Sequence, residues 1–346
     1  MALTQAIFGP SKNFEVSVAA EVLDSGTGAK PLFVPGGDFL LGAAYERLGP
    51  DLLLSDDARS VLVKGYFTFE LPPNLYNSEG TAVIEGSLAS RLSGPIAPGQ
   101  FAQVGVLKLG PAIGQVDKID GRAFLTRLDG QNVLAEKGTK IFSGDIVETQ
   151  RDASIGIKFS DDTSFALGES GRMVIDTMTY DPSANTGKST FNIVQGVFSF
   201  VSGELAKFGD DAMVVNTPVA TIGIRGTTVA GKAAAEGSAN TITLLPDADG
   251  GVGQIAVSNG AGTQIMSVPF QTTNIASAFV APTAPIILPA SQVQNLYGNI
   301  KQSLPPARTA PQQRNNDNEN KEGPATKAPT EGEGERPPGE GEGPPG

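Results

Sequence analysis

Short apolar runs separated by turn-forming residues recur along most of this chain, and that rhythm predicts strands. Ile155, Ile157 and Phe159 alternate with Ser154, Gly156 and Lys158, which sends three apolar side chains to one face. Asp161-Asp162 makes a turn, and Phe165 and Leu167 resume the alternation. Upstream, Phe124, Leu125 and Leu128 run into an Asp129-Gly130 turn. Downstream, Phe191, Ile193, Val197, Phe198 and Phe200 supply more core candidates. Nearer the start, Leu52-Leu53-Leu54 leads to the turn Asp56-Asp57. Val61-Leu62-Val63 then continues to Tyr66-Phe67-Thr68-Phe69 as a strand, and Pro72-Pro73 ends the run. Ile255-Ala256-Val257 and Ile265-Met266 flank Asn259-Gly260 and predict a hairpin, with a loop longer than two residues.

One helix stands out. Val293, Leu296, Ile300 and Leu304 fall at helical spacing behind Ser291, a candidate N-cap. Gly298 weakens it by about 1 kcal/mol. Beyond Leu304 the pattern stops. Positions 305–346 hold no Val, Ile, Leu, Met or aromatic residue, so burial cannot offset the entropy of ordering them. The predicted class is mainly β: an antiparallel sandwich or roll of short strands, with little helix and a disordered C-terminal tail. The predicted organisation is a β-rich region over 1–110, a β domain over 114–232, a hairpin and extended segment over 233–290, a helix over 291–304, and an acidic Gly/Pro/Glu tail over 305–346. The stretch Gly94-Pro95-Ile96-Ala97-Pro98-Gly99 reads as a connector.

Composition narrows the chemistry. There is no Cys and no His. That excludes disulfides, thiolate metal sites, cysteine nucleophiles and histidine-based triads. Only carboxylate pairs, Ser-Lys arrangements or hard-metal sites are left for catalysis. The net charge of −12 argues against nucleic acid as a partner, since phosphate binding needs clustered cations. Positions 1–22 lack a basic start and a long apolar run, so no secretory leader is expected. No stretch approaches the roughly 18 apolar residues of a spanning helix, so no membrane span is expected. The chain is expected either to stay inside or to leave by a route that needs no cleaved leader.

Several constellations look chemical and read better as structure. Gly226 to Lys232 has the glycine and lysine spacing of a phosphate loop, but Ala233 stands where the magnesium-binding hydroxyl belongs. Asp247-Ala248-Asp249-Gly250-Gly251 resembles the start of a calcium loop, yet no Glu closes it. Asp161-Asp162 and Asp210-Asp211 are adjacent acids on turns, expected to face solvent. Lys188-Ser189 and Ser202 offer a Ser-Lys pair without a supporting motif. No catalytic residue, cofactor or metal ligand is assigned.

The middle of the chain resembles the FecR domain family. The residues that carry the resemblance are Gly144-Asp145-Ile146-Val147-Glu148-Thr149, then Ile157-Lys158-Phe159-Ser160-Asp161-Asp162, then Thr217-Pro218-Val219-Ala220 and Arg225-Gly226-Thr227. The N-terminal region is similar to leader segments that precede such domains in large proteobacterial repeat adhesins, through Gly49-Pro50-Asp51-Leu52, Tyr66-Phe67 and the stretch from Gly94 to Gln103. The resemblance favours the cell surface or the outside over the cytoplasm, and it implies a non-enzymatic binding or structural module of the envelope or surface, taking a protein, glycan or cell-wall ligand. Its alternative is a signalling protein that uses the module for protein contact without a transmembrane anti-sigma architecture. The motif residues Gly144, Asp145, Thr149, Thr217, Pro218, Arg225, Gly226 and Thr227 are the ones it marks for structure or partner contact. Among them Arg225 is expected to lock a corner with its guanidinium fork.

Overall fold

The computed structural model describes residues 21–26, 31–94, 110–209, 211–234 and 240–306. The first lobe holds β1 (Glu21–Asp24), β2 (Leu32–Val34), α1 (Phe39–Gly42), β3 (Ala44–Leu48), β4 (Asp51–Ser55), β5 (Ser60–Lys64), β6 (Leu75–Asn77), β7 (Val83–Ile84) and α2 (Gly86–Leu92). One sheet runs β1-β5-β4-β3 and a second runs β2-β6-β7, with β1 parallel to β5 and β2 parallel to β6. Alternation decides what is buried. Leu52, Leu54, Val61 and Val63 face one core, joined by Leu40, Leu75 and Ile84.

The predicted strand through Phe69 does not continue that far. Tyr66–Thr68 forms a 3-10 turn instead. Gly65 sits in the left-handed region at φ 68°, and the Asp51 carboxylate accepts its N–H at 2.7 Å. That breaks the ladder after Lys64 and drives Tyr66 inward, where its hydroxyl donates to the Pro73 carbonyl at 2.7 Å. Tertiary packing here overrides the β preference of the aromatic run.

The second body carries β8 (Gly114–Asp120), β9 (Ala123–Thr126), β10 (Asn132–Leu134), β11 (Lys140–Ile141), β12 (Ile146–Thr149), β13 (Ser154–Phe159), β14 (Ser164–Leu167), β15 (Arg172–Asp181), β16 (Thr186–Val201), β17 (Met213–Asn216), β18 (Thr221–Arg225), β19 (Thr228–Ala233), β20 (Asn240–Leu245), β21 (Gln254–Asn259), β22 (Gly262–Met266), β23 (Gln271–Ile275), β24 (Ile286–Ile287) and α3 (Ala290–Ser303). The mainly β, rolled architecture is the predicted class, and helix is minor. The strands form two curled sheets that share the long strand β16. Its first half pairs with β15 and β17, and its second half with β14 and β19. Gly196 marks the change of sheet. Its φ is 113°, and a Cβ there would lie 2.7 Å from the Gly171 Cα. All pairings in this body are antiparallel except β16 with β17. The core between the sheets centres on Phe159, Phe165, Phe191, Phe198 and Phe200.

The sheets run on past residue 232, since β21 pairs with β18, and β20 and β23 pair with each other beside β19. The predicted hairpin is β21–β22, and register Asn259↔Gly262 leaves only Gly260 and Ala261 in the loop, shorter than the expected one. The Asn259 side chain makes this possible by accepting the Ala261 N–H at 3.0 Å.

The predicted helix is α3, with two corrections. It starts one residue before Ser291, and Pro289 is its N-cap, with no side-chain cap bond. Leu296 is half exposed, whereas Tyr297 is buried beside Val293 and Ile300. The helix packs on the outward Ala166, Ala230 and Leu245, and the Tyr297 hydroxyl lies 2.7 Å from that of Thr241. That polar handle turns Tyr297 to the sheet in place of Leu296. The predicted disordered tail, and all but Gly94 of the 94–99 connector, lie outside the described residues. No helix among the described residues is long and apolar enough to cross a membrane.

Candidate functional site

The Gly144-Asp145 step builds a buried corner. Gly144 has φ 90°, and a Cβ there would come within 2.7 Å of Leu128. Asp145 is fully buried at 0% exposure and pairs with Arg127, itself only 8% exposed. The same carboxylate oxygen, Oδ2, accepts the Phe142 N–H at 2.8 Å. Arg127 also donates to the Lys140 carbonyl at 2.8 Å and lies over the Phe142 ring. One ion pair thus ties β9, β11 and the entry to β12 together. Thr149, at the end of that step, donates to the Gly168 carbonyl and accepts the Gly171 N–H at 2.8 Å.

Burial pushes the Asp145 carboxyl up, to about 6, against the lowering by the Phe142 amide and Arg127. A carboxyl with a higher pKa folded than unfolded keeps its proton longer in the native state. Its contribution therefore favours folding below the ordinary carboxyl range and is lost as pH rises through about 6. We expect wild-type stability relative to Asp145→Asn to fall by on the order of 1–3 kcal/mol between about pH 4 and pH 6.5, then level off. Urea unfolding of both proteins at stepped pH reads this directly. A relative stability that rises across that window contradicts it.

The acidic turn departs from expectation. Asp161 does not face solvent but is 1% exposed. Its carboxylate accepts the Thr163 N–H at 3.0 Å and the Thr163 hydroxyl at 2.7 Å, and its own carbonyl accepts the Glu204 N–H at 2.8 Å. Burial raises its pKa against those hydrogen bonds. Asp162, at φ 69°, makes the reversal and lies 3.7 Å from Lys158. Asp211 stays a loop residue, and Asp210 lies outside the described residues. The phosphate-loop spacing falls on strand β19, not on a loop before a helix. Ser202 is engaged with Thr227, accepting its N–H at 2.6 Å. Asp247 accepts the Thr228 hydroxyl at 2.6 Å.

Arg225 is exposed at the end of β18, in register with Gln254. Gly226 takes φ 59°, and Thr227 is buried, its hydroxyl accepting the Gly253 N–H at 3.1 Å. A Cβ on Gly253 would lie 2.1 Å from the Gly226 carbonyl oxygen, so this corner closes through backbone contact.

Thr217 and Pro218 behave differently from the rest. The Thr217 side chain accepts the Ala220 N–H at 3.1 Å, which fixes a tight turn between β17 and β18. The Pro218 carbonyl then accepts the Val83 N–H of β7 at 3.0 Å. So this motif turn is where the first lobe seats. Other bonds also hold the joint: Ala278 N–H to the Thr81 carbonyl at 2.6 Å, Arg172 to the Ala43 carbonyl at 2.8 Å, and Arg91 to the Asp176 carboxylate at 2.5 Å and to its carbonyl at 3.2 Å. Beside the turn opens a cleft of about 270 Å³. Thr217 and Pro218 line it, and the six other marked motif residues do not.

The rim of this cleft was not legible as a site in the sequence. Phe33 and Tyr76 are direct cross-strand partners on β2 and β6, with ring centres 5.5 Å apart. Both are the outward residue between two buried neighbours, Leu32 and Val34, or Leu75 and Asn77. Tyr76 stacks on Phe279 at 5.9 Å. Phe33 is 50% and Phe279 55% exposed. The only sequence signal was an aromatic at the outward position of a strand.

Residues 145–246 match the family described as FecR protein. No curated protein matches the chain. Two crystal structures of a candidate anti-sigma factor from Parabacteroides distasonis ATCC 8503 align at 12% and 13% identity, with TM-scores of 0.33 and 0.34 over 43% of this chain. The chain spans 62% of the length of those proteins. A structure described as a cell surface anchoring domain aligns at 33% identity over 18% of this chain and 83% of its own, with a TM-score of 0.18. The family match does not reach the first lobe, so the similarity to adhesin leaders gains nothing from it. The Gly-Asp corner, the acidic turn, the Thr-Pro turn and the Arg-Gly-Thr corner follow one another through the strands of one β roll, and it is the segment from 145 to 246 of that roll that matches the FecR family.

Proposed function

We propose that this protein is a non-enzymatic binding module of the cell envelope or surface, and that it engages its ligand at the cleft beside the Thr217-Pro218 turn. The observation that carries this reading is the aromatic row at the cleft: half-buried Tyr76 and exposed Phe279 line it, and exposed Phe33 adjoins Tyr76. Water-facing rings in succession, next to a concave surface with a few polar groups, are the usual composition of a recognition site. The lining also supports binding over catalysis. Among the described residues Glu85 is its one carboxylate, and none of those lining it is a lysine or arginine, so the paired acid and base of hydrolytic chemistry have no counterpart among them. The buried carboxylates among the described residues, Asp145 and Asp161, sit at fold corners and accept structural hydrogen bonds.

The test is co-sedimentation of the full chain with purified cell envelopes of the source organism. Wild type is expected to pellet with them. Phe33→Ala and Phe279→Ala are expected to reduce the bound fraction at least tenfold while leaving the thermal transition in place. Pelleting that is absent in wild type, or equal in the variants, overturns this reading.

A further inference from the structure

The chemistry around the cleft favours one ligand class, and the inference rests on the cleft being the binding site. We propose that it takes a neutral oligosaccharide chain, laid along Phe33, Tyr76 and Phe279, with its hydroxyls reaching Asn74 and Asn192.

Charge excludes the alternatives first. Among the described residues the lining holds no cation, and the chain carries a net charge of −12. An anionic ligand would meet no countercharge and a repulsive field. A cationic ligand would find a single carboxylate, Glu85. A peptide adding as a strand needs an open edge. Here the edge of β7 is closed by the Val83 N–H to Pro218 bond at 3.0 Å.

What the cleft does offer is amides, hydroxyls and ring faces. Asn74 accepts the Gly86 N–H through Oδ1 at 3.0 Å, which fixes the side chain and leaves its amide nitrogen as a donor. Asn192 accepts the Asn216 amide through Oδ1 at 2.9 Å, which leaves Asn192 the same free donor. Ser258 adds a hydroxyl to the lining. Such uncharged groups suit a ligand that is hydroxyl-rich and neutral.

The rings supply the apolar half. Tyr76 and Phe279 lie 24° from parallel with centres 5.9 Å apart, an offset stack that leaves part of each face uncovered. Phe33 extends the row at 5.5 Å from Tyr76. The C–H faces of pyranose rings match such surfaces. Three rings in succession make an extended chain a better ligand than a single sugar. Two of the rings belong to the first lobe and one to the segment after β23, so the ligand would span the joint between the bodies.

The experiment has two arms, both with the full chain. Calorimetric titration with chitohexaose, cellohexaose and maltohexaose, beside their monosaccharides, is expected to find at least one hexasaccharide that binds. Its affinity should exceed that of its monosaccharide, and Phe33→Ala and Asn74→Ala should each weaken it at least tenfold. In the second arm, envelopes are treated with periodate, which cleaves vicinal diols, or with proteinase. Pelleting is expected to survive proteinase and to be lost on periodate. Pelleting lost on proteinase but kept on periodate overturns the glycan inference while leaving a protein-binding module intact. No pelleting on untreated envelopes removes the binding reading itself. No hexasaccharide bound, or affinities unchanged in both variants, overturns the inference at this site.

Discussion

Asp145→Ala is expected to destabilise the protein by about 3–5 kcal/mol at pH 7.5, the scale of breaking a buried ion pair from one side. The carboxylate is fully buried, and its removal strands the Arg127 guanidinium among Phe142 and the strand backbone. The Phe142 N–H loses its acceptor as well. Arg127→Ala should cost a similar amount, because it leaves the carboxylate alone. Removing both charges should cost much less than either single change. Arg127→Met with Asp145→Asn keeps an acceptor for Phe142 and fills the space, so it should recover most of the loss. Urea midpoints of wild type, the two single alanine variants and the Arg127→Met, Asp145→Asn double variant test this. A loss under about 1 kcal/mol in Asp145→Ala means that the charge reaches water despite its burial.

Phe165→Ala should cost about 3–5 kcal/mol, through the cavity left in the middle of the second core. Phe165 is fully buried and packs against three other rings, with centres 5.6 Å from Phe191, 5.6 Å from Phe200 and 6.3 Å from Phe198. These come from two strands, β14 and β16, that pair in register. The neighbours cannot close a phenyl-sized void without leaving their own rotamers. Phe165→Leu retains much of the volume and should cost under about half as much. Neither change touches the cleft lining, so ligand affinity below the unfolding transition should stay at the wild-type value. Thermal and chemical unfolding measure the first claim. A cost below about 1 kcal/mol for the alanine variant would mean that the roll repacks freely.

Some of this protein could be read from local pattern. Alternation in Ile155–Phe159 and in Phe165 and Leu167 placed the core-facing rows correctly, because a strand's side chains have a period of two whatever the strand pairs with, but it did not show that Gly156, Ser164 and Ala166 on the opposite face are buried too. The Asp129-Gly130 turn followed from local preference, and so did the place of the Asn259-Gly260 turn, though not its two-residue length. The helix near the C-terminus followed from its spacing. The order of the family motifs marked the segment that matches the FecR family.

Other features needed the third dimension. Asp161 was expected in water because it sits on a turn, yet the corner at Gly203 and Glu204 folds back and seals it. Tyr66–Thr68 read as strand until Gly65 and the Asp51 carboxylate redirected the chain. Arg127 drew no attention as one arginine before a turn. Its importance comes from Asp145, 18 positions away in sequence and brought alongside by the pairing of β9 with β12. The aromatic row is the clearest case. Phe33, Tyr76 and Phe279 are far apart in the chain, and each alone is an ordinary ring, two exposed and Tyr76 half-buried. Strand register joins the first two, and the seating of β7 on the Pro218 carbonyl brings the lobe to the third. Periodicity is a property of neighbours along the chain, so sequence carries it. A cleft is a property of surfaces that meet only after the strands have paired, so its residues carry no shared local signal.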